Sequence, residues 1–416
     1  MRRLLFRLSL VAALLIWAAL LVDMVQMELA HRRMVAAARA EEQRAPTATP
    51  IPVPTLTPAL PEPVVQSSAL RVNLSSTVGT IHPKTGRYVA AWLPTSFDAE
   101  DARASFEANK DILDELSPFW YGVNFNGTLA PEAGARDQEL VRIAHESNVL
   151  VLPTVHNVGT LEASAVVLED PEIRARHIRI IVDEVLKYGY DGIDIDYESL
   201  SPDMRDEFSD FIVKLAEELH SHGKLLSIAV HAKSSDWGGL GGFQDWKVIG
   251  EVVDRLRIMT YDYHWRGGGP GPIAPLYWVE EVMTYARSVV DPAKIIVGIP
   301  FYGYNWGSGK DNAVAMTWTA IENLIQRYGV SVNLRERDER GSVQESWFVY
   351  NGRTVWFSNH RSLEAKLDLV QRLDLAGIAI WRLGNEDPKN WEVIRRKLVH
   401  DPVTIQRQIN TYLPEH

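Results

Sequence analysis

The sequence predicts an α/β protein built as a (β/α)8 TIM barrel, and three observations support this fold class. Short apolar runs of strand type alternate with helical patterns from about residue 70 onward. Eight such runs fall within about 330 residues, which leaves room for a crossover helix between successive runs. The runs cover residues 88–92, 120–124, 149–153, 192–196, 225–230, 256–261, 295–299 and 377–381. A doubly wound parallel sheet is the alternative, because the same alternation of elements also produces it.

One connecting helix is well marked after the fourth run. Ser201 is the expected N-cap, Pro202 falls in the first turn, and Gly223 ends the helix. The apolar residues of this helix share one face: Phe208, Phe211, Ile212, Leu215 and Leu219. A helix of this kind packs one side against a sheet.

About seventy residues separate the seventh and eighth runs, which is more than a barrel connection needs. We expect a small α+β insertion there, at about residues 307–375, that forms one wall of a cleft above the barrel mouth. A helical pattern covers residues 318–328, and residues 347–350 and 354–357 flank the turn signal Asn351-Gly352. The second part of the insertion is therefore predicted to contain a β-hairpin.

The N-terminal part of the chain is predicted to tether this folded unit to a membrane. Residues 1–22 begin with arginines and continue as an apolar run, which indicates an uncleaved signal anchor with a cytoplasmic N terminus. Residues 23–44 have the pattern of a polar helical stalk. Residues 45–67 contain seven of the 22 prolines and are typical of an extended linker. Residues 68–416 are then expected outside the cell, single-pass anchored, or secreted if the signal is cleaved.

Composition and charge exclude several classes of function. The chain has 43 basic and 54 acidic residues and a net charge of −11, which argues against a nucleic-acid partner. It contains no cysteine, so it has no disulfide, thiolate nucleophile or cysteine-bound zinc. Hydrophobic residues make up 46% of the chain and charged residues 23%, as in ordinary globular proteins. We expect a monomer.

The most informative stretch is the fourth run, from Tyr190 to Glu198. Alternate side chains of a strand share a face, so Asp194, Asp196 and Glu198 project together, with successive Cα atoms about 6.6 Å apart. Three ionised carboxylates inside a barrel repel one another, so protons are shared and the pKa of at least one acid rises. A carboxylic acid that stays protonated near neutral pH can act as a general acid. A surface strand with one wet face is the competing interpretation.

Two metal-binding interpretations also compete with acid catalysis. A calcium loop counted from Asp194 fails, because Ser199 stands where the loop needs glycine and Arg205 where it needs a bidentate glutamate. Three histidines fall near the ends of the third, fifth and sixth runs, as in a metal-dependent barrel hydrolase: His156, His231 and His264. The first run carries no His-x-His pair, and we expect neither a metal nor a cofactor.

The spacing Asp191-Gly192-x-Asp194-x-Asp196-x-Glu198 resembles the signature of glycoside hydrolase family 18. The segment Met259-x-Tyr261-Asp262, Trp381 at the end of the eighth run and the expected insertion agree with this resemblance, which covers residues 85–400, roughly. Segments 356–366 and 379–384 look most like those of bacterial spore-cortex and cell-wall N-acetylglucosaminidases. Those enzymes usually carry LysM repeats, and this sequence shows none.

The resemblance implies an extracellular hydrolase that cleaves β-1,4 bonds of polymers containing N-acetylglucosamine. It implies retaining, substrate-assisted catalysis through an oxazolinium intermediate. Glu198 is the implied general acid, Asp196 stabilises the reacting acetamido group, and Asp194 shares a proton with Asp196. Tyr261 is expected to hold the acetamido group, and Trp381 is expected to form the floor beneath the distorted sugar.

Further residues near strand ends are expected to bind substrate: Met259, Asp262, Tyr121, Asn124 and Tyr302. Asp191 lies out of step with the other acids and is expected, with Gly192, to support the strand. The sequence leaves open whether the polymer is peptidoglycan or chitin, and whether cleavage is endo or exo. A lectin-like member of the family that binds glycans without cleaving them is the alternative function, although the presence of Glu198 argues against it.

Overall fold

The computed structural model describes residues 86–95, 98–236, 239–307 and 313–399. The predicted anchor at residues 1–22, the stalk and the linker all lie outside the described residues. In the described ranges, no helix is long and apolar enough to cross a membrane.

Eight strand positions pair in parallel and close into a barrel, as predicted. The first and last strands are hydrogen-bonded neighbours, with Tyr88 opposite Gly377, so the open doubly wound sheet is excluded. The third position consists of two short strands, because Pro153 has no N–H to continue the ladder. In chain order the barrel strands are β1 (Tyr88–Leu93), β2 (Glu115–Val123), β4 (Leu150–Val151) with β5 (Thr154–His156), β6 (Gly192–Asp196), β7 (Leu225–His231), β8 (Arg255–Met259), β9 (Ile295–Pro300) and β15 (Gly377–Trp381). One further short strand, β3 (Leu129–Pro131), pairs antiparallel with β2.

Two glycines allow neighbouring barrel strands to approach closely. A Cβ atom on Gly192 would lie 2.1 Å from the carbonyl oxygen of Leu225 on β7. A Cβ atom on Gly377 would lie 1.9 Å from the carbonyl oxygen of Tyr88 on β1. Neither distance is possible for a side chain, so each position requires glycine.

Helices surround the barrel and cover its outer face. The helix predicted after the fourth run begins as a 3-10 turn at Pro202–Met204 and continues as α-helix to Ser221. Its predicted apolar face is buried, but the Ser201 side chain makes no capping hydrogen bond. The helices are α1 (Ala99–Asn109), α2 (Gln138–Glu146), α3 (Leu161–Glu169), α4 (Pro171–Tyr188), α5 (Arg205–Ser221), α6 (Trp246–Val252), α7 (Leu276–Val289), α8 (Trp318–Tyr328), α9 (His360–Arg372) and α10 (Lys389–Ile394).

A five-stranded antiparallel sheet and helix α8 lie between the seventh and eighth barrel strands. The strands are β10 (Gly303–Trp306), β11 (Val314–Met316), β12 (Asn333–Arg337), β13 (Ser342–Tyr350) and β14 (Arg353–Phe357), in the order β11-β10-β14-β13-β12. The predicted hairpin is confirmed, since Asn351 and Gly352 both have positive φ and join β13 to β14. The sheet spans residues 303–357, and the helix that follows, α9, precedes the last barrel strand.

A buried ion pair fixes the small sheet to the barrel. Lys366 Nζ on α9 donates a hydrogen bond to Glu345 Oε1 on β13 at 2.6 Å, and both side chains are 0% exposed. The backbone N–H groups of Ile273 and Ala274, in the segment that follows β8, act on the same carboxylate and oppose the rise in its pKa that burial causes. The pair therefore joins three parts of the chain that border the barrel mouth.

Candidate active site

The three acids of the fourth strand lie in the barrel interior and at its C-terminal end. Asp194 and Asp196 on β6 are 0% and 4% exposed, and Glu198 follows two residues after the strand. The backbone N–H of Glu198 donates to Asn157 Oδ1 at 2.8 Å. His231 Nε2 donates to the carbonyl oxygen of Glu198 at 2.8 Å. The backbone that carries the expected general acid is thus held from both neighbouring strands.

Burial raises the pKa of each acid in this row. The pKa of Asp194 rises to about 6 because the side chain is buried, although hydrogen bonds from Trp92 and Thr154 oppose the rise. The pKa of Asp196 is raised well above its usual value by burial and then by the charges of Glu198 and Asp194. Burial and the charge of Asp262 raise the pKa of Glu198. The row therefore retains protons at a pH where isolated carboxylic acids lose them.

Tyr261 and Asp262 follow β8 and face this row. Burial raises the pKa of Tyr261 far above its usual value, and the charges of Asp196 and Glu198 raise it further, so its phenol stays protonated. The Asp262 carboxylate accepts hydrogen bonds from the hydroxyls of Tyr302 and Tyr304, the latter at 3.1 Å from both carboxylate oxygens. Burial also raises the pKa of Asp262. These contacts place a second acidic group beside Glu198.

Trp381 ends the eighth barrel strand and rests on other aromatic rings. Its ring centroid lies 5.0 Å from that of Phe119 and 5.9 Å from that of Trp92. Phe119 in turn stacks on His156 at 5.1 Å. The indole is only half-buried, so part of its surface remains open to the cleft.

Two cavities meet at Asp262 and form a cleft at the C-terminal end of the barrel. One, of about 390 Å3, is lined by Glu198, Met259 and Tyr261. The other, of about 470 Å3, is lined by Tyr302 and Trp381. Most of the residues expected at the site therefore border one continuous region.

Two residues expected to bind substrate do not line these cavities, and the burial of Tyr121 corrects the sequence interpretation for that residue. Tyr121 is 0% exposed, and its hydroxyl is 2.9 Å from that of Tyr190. The pairing of β2 with β5 is irregular between Phe119 and Tyr121, and this shift turns Tyr121 away from the cleft. Asn124 is exposed and uses its side-chain amide to bridge the turn between β2 and β3, donating to Thr128 Oγ1 at 3.0 Å.

Asp191 and Gly192 lie at the N-terminal end of β6, opposite the cleft. The Asp191 Oδ2 atom accepts a hydrogen bond from the backbone N–H of Val151 at 2.8 Å and lies 2.9 Å from His145 Nε2. Asp191 thus joins β6 to β4.

Several residues of the site were not predicted from the sequence. Trp92 Nε1 and Thr154 Oγ1 donate to Asp194 Oδ2 at 2.8 and 3.0 Å. Arg257 and Glu115 form a fully buried ion pair inside the barrel. The sequence feature that could have revealed such residues is a charged residue within or next to an apolar run, as with Arg257 in the sixth run.

The three histidines considered as metal ligands have separate partners. His156 Nε2 lies 2.9 Å from Glu132 Oε1, His231 bonds the Glu198 backbone, and His264 Nδ1 donates to the carbonyl oxygen of Pro272 at 2.9 Å. Across the parts of the chain that the structure describes, no three His, Cys, Asp or Glu side chains form a group that could hold a metal ion.

A parallel barrel with a row of proton-retaining carboxyl groups and an aromatic floor in a cleft is the arrangement of a glycoside hydrolase. The model of the glycosyl hydrolases family 18 matches residues 124–386, and the chain belongs to this family. The protein is therefore a glycoside hydrolase.

Relatives and solved structures agree with this assignment. The cortical fragment-lytic enzyme of Bacillus anthracis is 30% identical over 294 residues, which cover 68% of this chain and 67% of that protein. The Bacillus cereus spore cortex-lytic enzyme SleL superposes with a TM-score of 0.68 and 28% identity, covering 75% of this chain and 74% of that one. A chitinase from Chromobacterium violaceum ATCC 12472 gives a TM-score of 0.68 at 25% identity, covering 75% of this chain and 98% of that one.

Proposed function

We propose that this protein hydrolyses β-1,4 bonds on the reducing side of N-acetylglucosamine units, by retaining, substrate-assisted catalysis. The observation that carries this proposal is the row of Asp194, Asp196 and Glu198 beside Tyr261, at the end of the barrel where the cleft opens. This row offers one acid at the surface and two buried acids behind it. The arrangement suits a reaction in which the substrate supplies the nucleophile.

Glu198 acts first as the general acid. Its raised pKa keeps a proton on the carboxyl group, which it gives to the glycosidic oxygen as the bond to the anomeric carbon breaks. The acetamido oxygen of the same sugar attacks the anomeric carbon from the opposite face and forms an oxazolinium ion. Glu198, now a carboxylate, takes a proton from water, and this water opens the ring and restores the original configuration.

Asp196 and Tyr261 orient the acetamido group during this attack. Asp196 accepts a hydrogen bond from the acetamido N–H, and the negative charge of the pair that it forms with Asp194 stabilises the positive charge that develops there. Tyr261, whose phenol stays protonated, donates to the acetamido oxygen. Holding the oxygen in line with the anomeric carbon removes much of the entropic cost of ring closure.

Trp381 forms the floor on which the distorted sugar stacks, and Met259, Asp262 and Tyr302 line the sides of its site. Trp381 keeps its orientation through Phe119 and Trp92, so the floor is in place before substrate binds.

We further propose peptidoglycan as the polymer, supported by relatives named as cortical fragment-lytic enzymes. Chitin is the second candidate, since chitinases are among the similar structures. We also propose that the predicted anchor at residues 1–22 tethers the catalytic unit to the membrane, outside the cell, and that the protein is a monomer.

Product analysis tests the proposal. The full-length chain and its Glu198→Gln variant are incubated separately with purified peptidoglycan and with chitin oligomers. New reducing N-acetylglucosamine ends on muropeptides, formed at least about 100-fold more slowly by the variant, are expected. Cleavage of chitin oligomers alone would move the substrate to chitin. Sugar binding without any cleavage would contradict the hydrolytic assignment and favour the lectin-like alternative.

A further inference from the structure

A single guanidinium group lies beneath the acids in the centre of the barrel. Arg257 on β8 is 0% exposed. Its Nη1 atom donates to Ser117 Oγ at 2.8 Å and lies 3.5 Å from Asp194 Oδ2. The guanidinium carbon is 5.2 Å from the centre of the Trp92 ring, which also bonds Asp194. This group takes no part in the mechanism described above.

Glu115 partly balances the charge of Arg257 from the other side. The Arg257 Nη2 atom forms an ion pair with Glu115 Oε1, and Tyr88 donates its hydroxyl to Glu115 Oε2 at 2.6 Å. Burial lowers the pKa of Arg257 to about 10, so it remains protonated at neutral pH. One cation therefore stands between Glu115 and the pair formed by Asp194 and Asp196.

The two buried aspartates differ in the hydrogen-bond donors and the charges that the protein places beside their carboxyl groups. Asp194 Oδ2 accepts hydrogen bonds from Trp92 and Thr154 and has Arg257 close by. The Oδ1 atoms of both aspartates are buried without a hydrogen-bond partner in the described part of the chain, so the donors at Asp194 Oδ2 are what distinguish Asp194 from Asp196. A buried carboxylate is stabilised by donors and by a nearby cation, and a buried carboxyl group without them is better protonated.

We propose that Arg257 is a positioning residue that keeps Asp194 negatively charged, so that the proton held by the two buried aspartates resides on Asp196. The inference deepens the proposed function, on which it rests. It places the proton on the carboxyl group nearer to Glu198 and to the acetamido group of the substrate. Asp194 then remains the fixed negative charge behind the reacting sugar, and Glu115 limits how strongly Arg257 acts on it.

Four groups that carry charge or titrate surround Asp194. Arg257 faces it from β8, Asp196 lies on its own strand, Glu115 acts through Arg257 from β2, and Tyr261 approaches from the segment after β8. Tyr261 stays neutral because its pKa is raised. The contacts from β1 and β5, made by Trp92 and Thr154, are uncharged.

Two neutralising variants of the full-length chain are expected to shift the titration of Asp194 in opposite directions. Arg257→Met removes the cation and raises the pKa of Asp194, whereas Glu115→Gln leaves Arg257 unbalanced and lowers it, each by about one unit or more. The acid limb of the pH–kcat profile therefore moves to higher pH in the first variant and to lower pH in the second.

The Trp92 indole N–H gives a readout that does not depend on activity. It donates to Asp194 Oδ2, so its 15N and 1H chemical shifts follow the ionisation of that carboxylate. Among 13 tryptophans, its signal is assigned as the one absent from Trp92→Phe. Lys366→Met is the matched control, because it removes another fully buried cation, and it should leave this titration unchanged.

Opposite shifts of the Trp92 titration in the two variants support the inference. The inference is overturned if both variants shift the Trp92 titration in the same direction, or if the titration is unchanged in Arg257→Met. If Arg257→Met does not fold, a titration in Glu115→Gln that is unchanged or shifted upward overturns it as well. If the wild-type chain cleaves no substrate, the proposed function fails, while the Trp92 titration still decides the role of Arg257.

Discussion

Asp262 shows how one residue connects several properties of the site. It has a φ of 59°, a left-handed conformation that aspartate and asparagine adopt more readily than most residues. This backbone turn directs the carboxylate to the point where the two cavities meet. From there its charge raises the pKa of Glu198, while Tyr302 and Tyr304 hold it in place.

For this single residue we predict that, as the pH rises, the Asp262→Asn variant loses activity at a lower pH than the wild type does. Glu198 must be protonated to act as an acid, so kcat falls as the pH rises through its pKa. Burial and the charge of Asp262 both raise that pKa, so removing the charge lowers it, and the alkaline limb of the pH–kcat profile moves to lower pH. Asparagine retains the left-handed backbone, so the fold is preserved.

Tyr304→Phe is the control for this prediction, because it removes a hydrogen bond to Asp262 without removing the carboxyl group. The alkaline limb of the pH–kcat profile of Tyr304→Phe should lie closer to the wild-type limb than the limb of Asp262→Asn does. An alkaline limb at the wild-type position in Asp262→Asn would show that its charge does not act on Glu198.

Among the elements of the fold, strand β6 carries residues with different roles at its two ends. The C-terminal end carries the acids, and the N-terminal end carries Gly192, where β7 approaches too closely for any side chain. Asp191 fixes the same end by its hydrogen bond to Val151. The catalytic strand is therefore held in register from the end that never meets substrate.

Gly192→Ala should destabilise the protein by about 3 kcal/mol, because the new methyl group forces β6 and β7 apart. Gly269→Ala is the matched control, since a Cβ atom there meets nothing within 4 Å, and it should change stability by less than about 0.5 kcal/mol. Urea unfolding of both variants measures the difference. Similar midpoints for the two would show that the strands separate at little cost.

Helix α4 supports the same strand from outside the barrel through His177. The carbonyl oxygen of Gly127, 2.7 Å away, can only accept, so His177 Nδ1 carries the hydrogen and Nε2 accepts from the Tyr197 hydroxyl at 2.7 Å. Burial lowers the pKa of His177 to about 4. The residue before Glu198 is thus anchored by a neutral, fully buried histidine.

This histidine should make the protein sensitive to acid. Unfolded histidine binds a proton near pH 6.5 and the folded side chain only near pH 4, so stability falls as the pH drops through this window, by up to about 3 kcal/mol. We expect the free energy of unfolding, measured with urea, to fall between pH 7 and pH 4 by about that amount less in His177→Gln than in the wild type. The exposed His222→Gln variant should behave as the wild type, and equal pH dependence in all three proteins would contradict the prediction.

For the whole molecule, periodicity predicted the barrel, with a doubly wound sheet as the alternative, and spacing predicted the common face of the three acids. Apolar runs mark buried parallel strands, and Asp194, Asp196 and Glu198 share a face because side chains alternate. The orientation of Tyr121 was not predictable, because it depends on an irregularity in strand pairing. The pair of Glu115 and Arg257 was not predictable either, because barrel closure brings together residues far apart in sequence.

The proposed membrane tether is a property of the whole chain and is tested by fractionation. The full-length protein should sediment with membranes and be degraded by protease added to cells whose wall has been removed. A variant lacking residues 1–44 should leave the membrane fraction and retain activity, because the described barrel begins only at residue 86. Protection of the full-length chain from external protease would contradict the proposed orientation.

The pairing of β1 with β15 determines where the described chain enters and leaves the barrel. The backbone N–H of Gly86 donates to the carbonyl oxygen of Leu398 at 2.6 Å, so the two ends of the described unit are adjacent. Both lie at the end of the barrel where strands begin, and the cleft lies at the end where they finish. The unit is therefore suited to circular permutation, and a reporter or surface support joined at either end would leave the mouth of the cleft free for a polymer chain.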